Sequence, residues 1–184
     1  DQGRPVVLGQ GPAAEAFRAI AAHLSRELAP PVDMAGCSAR LLAAALKPVI
    51  IAGSDVYAGD AVAALREVAE AYGVPVFTNG MGRGALPPGH PLAFAKARRV
   101  AFAGADLVVV IGTPLDFRLG FGDFGDAQVA HIVDAPAQRA QPVQPAVSPA
   151  GDLRLILTDI AGHGGDRVDH TDWIAQLRVA EDAA

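Results

Sequence analysis

Gly53-Ser54-Asp55 and Gly80-Met81-Gly82-Arg83-Gly84 are the two places where this sequence has residue types suited to holding an anion. Glycine leaves backbone amides bare enough for a phosphate to approach closely. Each run also has a plain alternative: the first can be a tight turn before a helix, the second an open loop. Gly53, Ser54, Gly80 and Met81 are therefore candidate cofactor contacts. Asp116 and Arg118 follow Gly112-Thr113-Pro114, and they could grip a ribose and a phosphate, or each other. Asp134 closes a short apolar run, where doubly wound sheets often hold a ribose. An ionised carboxylate suits that task because it is a pure acceptor. Gly151-Asp152 completes the candidate set, although Asp152 is first of all a good helix N-cap.

Other chemistries lack their residues. His23, His90, His131, His163 and His170 show no metal-ligand spacing. There is no nucleophile elbow or phosphate-binding P-loop. Gly9-Gln10-Gly11 is half of a dinucleotide fingerprint, but Ala14 stands where the third glycine is needed. Cys37, the single cysteine, excludes an internal disulfide and reads as a packing residue. The net charge of −5 is spread without blocks and argues against a nucleic-acid partner. Lys96, Arg98 and Arg99 form the tightest basic cluster, read as a solvated helix face or, alternatively, a phosphate-facing one.

The elements that must position these residues follow from periodicity. Apolar runs at 48–53, 74–77, 106–112 and 129–133 predict strands buried on both faces. A shorter extended stretch is expected near Ala146-Val147. Between them, Val62, Leu65, Val68, Ala69 and Tyr72 share one helical face, and Gly73 follows as a stop. Further helices are expected over 38–46 and 95–103, from Asp152 through Leu153, Ile156, Leu157 and Ile160, and over 170–182. Strand–helix repeats of this length demand parallel pairing, hence an α/β, doubly wound, mostly parallel sheet with helices on both faces, Rossmann-like in the general sense. Such sheets bind ligands at the carboxyl ends of their strands, where the candidate residues lie.

Domain organisation is expected as an unassigned N-terminal segment or linker over 1–37, a central domain over 38–168, and a C-terminal helix or linker over 169–184. Pro5 to Leu8 reads as a strand, Phe17, Ile20, Ala21, Leu24 and Leu28 as a helical stripe, and Ala29-Pro30-Pro31 as a linker. No run reaches the ~18–20 apolar residues of a bilayer span. The start Asp1-Gln2-Gly3-Arg4 has no signal-peptide character, so a soluble cytoplasmic protein, trimmed or excised from a longer chain, is expected.

In order, Lys47-Pro48-Val49-Ile50-Ile51-Ala52-Gly53-Ser54, Val74-Pro75-Val76-Phe77, Asn79 through Pro87, His90-Pro91, Ala105-Asp106-Leu107, Gly112 through Arg118 and Gly151-Asp152 resemble the central domain of thiamine-diphosphate-dependent enzymes of the acetolactate synthase type. The resemblance covers about residues 38–180. It implies a noncatalytic, nucleotide-binding-like domain with neighbouring domains of the same enzyme as partners, in a homo-oligomer. Thiamine diphosphate and magnesium would then be held only in the complete enzyme, because the activating glutamate and the metal–diphosphate motif belong to other domains. Gly122-Asp123-Phe124-Gly125-Asp126 is not that motif. Ala93 to Arg99 lacks the Gly-rich stretch of flavin-binding synthases, and Pro114 stands in place of their arginine. Both departures resemble the oxalyl-CoA decarboxylase and 2-hydroxyacyl-CoA lyase branch, which implies an ADP-like nucleotide rather than FAD. A freestanding nucleotide-binding module and a structural domain with a decayed ligand site are the alternatives.

Overall fold

The computed structural model describes residues 9–23, 35–135, 143–164 and 167–184. The expected strand at 5–8, the stripe residues Leu24 and Leu28, and the 29–31 linker lie outside them. The chain divides into two units, Asp1–Pro31 and Val32–Ala184. The described part of the first is helix α1 (Pro12–His23). Phe17 and Ile20, expected on its buried stripe, are 58% and 56% exposed, while Ala14 is buried.

The second unit opens with helix α2 (Ala35–Ala44), which starts three residues ahead of the expected Ser38. Cys37 is half-buried in it, and its sulfur accepts a hydrogen bond from Arg40 at 3.1 Å. Five parallel strands follow: β1 (Pro48–Ala52), β2 (Val76–Thr78), β3 (Ala93–Phe94), β4 (Leu107–Ile111) and β5 (Gln128–Ile132). Their order in the sheet is β3-β2-β1-β4-β5. The register Ile50↔Val76, Ala52↔Ile111 and Ile111↔Ile132 aligns the carboxyl ends of the inner strands. The expected extended stretch near Val147 is present as single bridges from Ala130 to Val147 and from Val133 to Ala150.

Alternate residues of each strand serve opposite faces, as the pleat requires. Ile50, Val109, Ile111 and Ile132 pack with Leu42 of α2, with Leu65, Val68 and Tyr72 of helix α4 (Val62–Tyr72), and with Leu153, Leu157 and Ile160 of helix α6 (Leu153–Gly162). Val49, Ile51, Val108 and Val110 face the other way. There they meet Ala101 of helix α5 (Arg98–Gly104) and Trp173 and Leu177 of helix α7 (Thr171–Asp182). A short helix α3 (Ser54–Ala58), absent from the sequence expectation, fills the turn between β1 and α4. Gly73 ends α4 in the left-handed region (φ 63°), as its place after the apolar stripe predicts. Tyr72 is fully buried, and its hydroxyl donates to Ile160 O at 2.9 Å, tying α4 to α6.

Two expectations are corrected. The helix placed at 95–103 starts at Arg98, and the amides of Ala95, Lys96 and Ala97 just ahead of it all donate to the Glu181 carboxylate at 2.8–3.1 Å. Lys96, Arg98 and Arg99 are consequently not one solvated face: Lys96 precedes α5, and Arg98 is half-buried, donating to Thr78 O at 3.1 Å. The terminal helix expected over 170–182 is present as α7. Trp173 and Leu177 are buried in the sheet face, and the indole donates to Pro48 O at 3.1 Å.

Candidate functional site

From β1 the chain runs outward to β2 and β3, then crosses back to β4 and β5, so the topological switch lies between β1 and β4. In doubly wound sheets a ligand crevice forms at that point. Here the chain's own atoms close it. Gly53 N donates to Ile111 O at 2.8 Å, and Asp55 N to Gly112 O at 3.0 Å. A Cβ on Gly53 would lie 2.3 Å from both Gly112 O and Thr113 Cβ. Gly112 takes φ 61°, and a Cβ there would meet Val56 N at 2.9 Å. Glycine at these positions is explained by close approach of two strand ends.

The β2 loop is held in the same way. Asn79 N donates to Ala52 O at 2.8 Å, and Met81 N to Ser54 Oγ at 3.1 Å. A Cβ on Gly80 would meet Ser54 Oγ, and one on Gly82 would lie 2.6 Å from Ala52 O. Ser54 and Gly80, candidate cofactor contacts, thus touch each other, while Met81 is exposed beside them. Gly84 alone in this run has open space where a side chain would be. A hollow of about 580 Å³ lies there, lined by Tyr57, Asp60, Met81, Arg83 and Gly84 among others.

At the ends of β4 and β5 the polar groups are nearer to solvent. Asp116 takes Arg118 as its partner: the guanidinium donates to Asp116 Oδ2 (2.6 Å from Nη2), and Arg118 N donates to Oδ1 at 2.9 Å. The bonds from the Arg118 side chain are the main cause holding the Asp116 carboxyl below its usual range, and the same contact raises Arg118. Of the two alternatives open for this pair, the structure displays the mutual one. Asp134 is exposed just past β5. Gly151 is buried beside it and donates its amide to Val133 O at 3.0 Å. Asp152 caps α6, accepting from Leu155 N at 3.0 Å.

Strands are spaced by about 4.8 Å, so the β2 loop and Asp134 are three spacings, about 14 Å, apart. Asp134 and the Gly112–Arg118 loop are one spacing apart. At the ends of β4 and β5, Asp116 and Asp134 supply carboxylates of the kind that accept from ribose hydroxyls, while the ends of β1 and β4 approach each other closely. For thiamine diphosphate and its magnesium, no group of three or more His, Cys, Asp or Glu suited to a metal occurs among the described residues. Asp123, in the Gly-Asp-Phe-Gly-Asp run, accepts from Gly125 N at 3.2 Å as a local turn.

Sequence reasoning missed three residues that shape this end of the sheet. Thr113 O accepts from His131 Nε2 at 2.9 Å, beneath the β4 loop. Glu181 holds the approach to α5 from a helix more than eighty positions away. Arg66 donates to Ala85 O at 3.4 Å, and its buried Nε has no hydrogen-bond partner among the described residues. His131 offered a local signal, a histidine inside an apolar strand; Glu181 and Arg66 offered none.

Comparisons with known proteins agree with this architecture. A family profile described as the thiamine pyrophosphate enzyme central domain matches residues 37–160. The acetolactate synthase large subunit IlvG of Mycobacterium tuberculosis is 40% identical over 188 residues, covering 100% of this chain and 31% of that protein. The 2-hydroxyacyl-CoA lyase 2 of Caenorhabditis elegans is 42% identical over 153 residues, covering 78% of this chain and 24% of that protein. An X-ray structure of a Mycobacterium smegmatis protein assigned to the thiamin diphosphate-dependent enzymes superposes with a TM-score of 0.64 at 25% identity, over 77% of this chain and 29% of that one. The chain thus spans less than a third of the length of these relatives. No described helix is long and apolar enough to cross a membrane. Sheet order, matched span and identity together place this chain in the central-domain family of thiamine pyrophosphate enzymes.

Proposed function

We propose that the chain is the noncatalytic centre of a larger cytoplasmic, homo-oligomeric enzyme that is acetolactate synthase-like or 2-hydroxyacyl-CoA lyase-like, and that it seats an ADP-like nucleotide at the β4–β5 rim. In this reading thiamine diphosphate and magnesium are bound by neighbouring domains, and the central domain supplies a rigid sheet against which they are held. The observation that carries the nucleotide seat is the exposed carboxylate of Asp134 directly past β5, one strand from Asp116 and Arg118. The ribose sits on Asp134, and the phosphates lie over Gly112 to Arg118, with Arg118 turning from Asp116 to meet them. Gly151 and Asp152 form the floor beside the ribose.

Flavin is the weaker ligand in this reading. The amides of Ala95, Lys96 and Ala97 are taken by Glu181, and Phe94 and Ala97 are buried, so the stretch has no open platform for a flavin ring. A structural domain with a decayed site is a second reading, favoured by the closed β1–β4 crevice. Calorimetry with ADP, coenzyme A and FAD separates the three. The expected result is ADP binding that weakens by roughly 1–3 kcal/mol in Asp134→Ala, the loss of a hydrogen bond to a charged group. Tight flavin binding without an ADP response would overturn the choice of ligand. Heat from none of the three would favour the structural reading.

A further inference from the structure

His170 is buried just ahead of α7, at the end of the sheet remote from the strand carboxyl ends. Its Nδ1 lies 3.1 Å from Tyr72 O and 3.2 Å from Gly73 O, and its Nε2 lies 3.0 Å from Ala45 O. All three partners are acceptors. A ring with one hydrogen donates on one side only and turns a lone pair toward a carbonyl on the other. The imidazolium alone carries a donor on both nitrogens. His90 shows the contrast. Its Nδ1 accepts from Leu92 N at 3.2 Å while its Nε2 meets Glu70 at 3.1 Å, an arrangement that one hydrogen satisfies.

The carbonyls around the ring belong to two helix ends. Tyr72 is the last residue of α4, Gly73 is its C-cap, and Ala45 directly follows α2. Aligned peptide dipoles leave helix C-termini partly negative, which favours a cation between them. Arg167 supplies another, donating to Glu70 O at 2.9 Å and to Ala71 O. Two side chains of the segment leading into α7 thus take the carbonyls of residues 70–73. The charged groups nearby are engaged with other partners. Asp169 accepts from Thr171 N at 3.0 Å and from its hydroxyl at 2.6 Å. Those bonds chiefly, and then the charges of His170 and Arg167, hold the Asp169 carboxyl below its usual range. Asp106 takes the amides of Leu46 and Lys47 at 2.6 and 2.8 Å, and the Lys47 ammonium lies 5.7 Å from the Trp173 ring centroid. The Tyr72 hydroxyl donates to Ile160 O, and on α6 Asp159 and His163 face each other at 3.9 Å. Asp172 stands in the first turn of α7. Among the described residues no carboxylate pairs with His170.

We propose that His170 is a proton-dependent latch, whose imidazolium ties the ends of α2 and α4 to the start of α7 and whose deprotonation releases that end of α7. With one hydrogen gone, a buried carbonyl loses its donor and meets a lone pair instead, a contact that costs stability. The first residue to feel this is Trp173, three positions on, which is buried in the sheet face and donates to Pro48 O at 3.1 Å. Arg167 keeps its two carbonyls in either state, so the latch opens by local fraying of α7 rather than by loss of the sheet. Asp134 and the β4 loop take no part, and the latch stands whether or not a nucleotide binds there.

The test joins NMR of the ring nitrogens to amide hydrogen exchange, from about pH 5 to about pH 8, the span in which histidine changes charge. Nitrogen–proton correlations within the ring distinguish the imidazolium from either neutral tautomer, and they are assigned to His170 through its own backbone. The imidazolium pattern is expected at the acid end. As it is lost with rising pH, protection of the α7 amides should fall at least about fivefold relative to those of β4, the loss of one hydrogen bond. His170→Gln should remove this pH dependence, because its amide donates without titrating. If that variant does not fold, the ring spectrum and α7 protection of the unaltered chain still decide. A neutral tautomer throughout the span, or α7 protection that does not follow the ring's charge, would overturn the proposal. So would an imidazolium unchanged across the whole span, which would make the ring a fixed cap. A pH dependence of α7 that survives in His170→Gln would assign it to His90 or His163 and overturn the proposal as well.

Discussion

Gly53→Ala tests whether the glycines at the strand ends are there for packing or for a ligand. Gly53 has φ −107° and ψ −166°, extended backbone that alanine adopts without strain, so the whole effect must come from space. Its new Cβ would sit 2.3 Å from Gly112 O and from Thr113 Cβ, and 2.9 Å from Gly112 C. Comfortable contact between carbons is about 3.5–4.0 Å, so the ends of β1 and β4 must part by more than ~1 Å. Neither obstacle can swing aside, since one is backbone and the other a β-carbon. Such a shift carries the bonds from Gly53 N to Ile111 O (2.8 Å) and from Asp55 N to Gly112 O (3.0 Å) out of range. Overpacking costs about 1–3 kcal/mol, and each lost bond about 0.5–1.5 kcal/mol. We expect a loss of about 3 kcal/mol in urea denaturation of the ligand-free chain, with an unchanged slope. That corresponds to a Tm lower by roughly 6–12 °C for a chain of this size. Gly162→Ala is the control: its Cβ would meet nothing within 4 Å, and inside α6 it should be neutral or stabilising by up to ~1 kcal/mol. A Gly53→Ala loss under ~1 kcal/mol would refute the packing account of the crevice.

Two predictions concern pH. Partial burial alone would raise the Glu181 carboxyl, but the amides of Ala97, Ala95 and Lys96, with Arg178, outweigh it and hold it below its ordinary 4.5. Its contribution is therefore present above pH 4.5 and is lost as pH falls through the lower folded value. Fluorescence of Trp173, the only tryptophan, should report α7 loosening in acid. Glu181→Gln should show this loosening already at neutral pH and lose the acid dependence, at a cost of about 1 kcal/mol after solvent screening. His131 is buried, and desolvation holds it below its ordinary 6.5 despite the bond to Thr113 O. The neutral ring thus stabilises the fold fully above pH 6.5, and that stability is lost as pH falls through the lower folded value. Thermal unfolding should show a decline below pH 6.5 that is smaller in His131→Asn; an identical pH profile in the variant would refute the assignment.

What the sequence by itself determined was the set of elements and their buried faces. Runs such as Val49-Ile50-Ile51 and Leu107-Val108-Val109-Val110-Ile111 have no polar side to show to water, so they must be strands covered on both faces. Gly73 and Asp152 act within one turn of their own positions, and the structure has them as a helix stop and an N-cap, as local chemistry dictates. The tertiary structure decided everything that depends on a distant partner. It brought a cap to the start of α5, because Glu181 arrives from α7 to take the three amides ahead of it. It fixed α7 as part of the sheet's cover, because Trp173 reaches Pro48 O across most of the chain. Above all, it decided what the glycines are for. A glycine that admits a phosphate and one that admits a neighbouring carbonyl look alike in a sequence, since both need only the absence of a Cβ. Only the approach of Gly112 to Gly53, and of Ala52 to Gly82, shows that these cradles are filled by the protein itself, while Arg83 and Gly84 face open space.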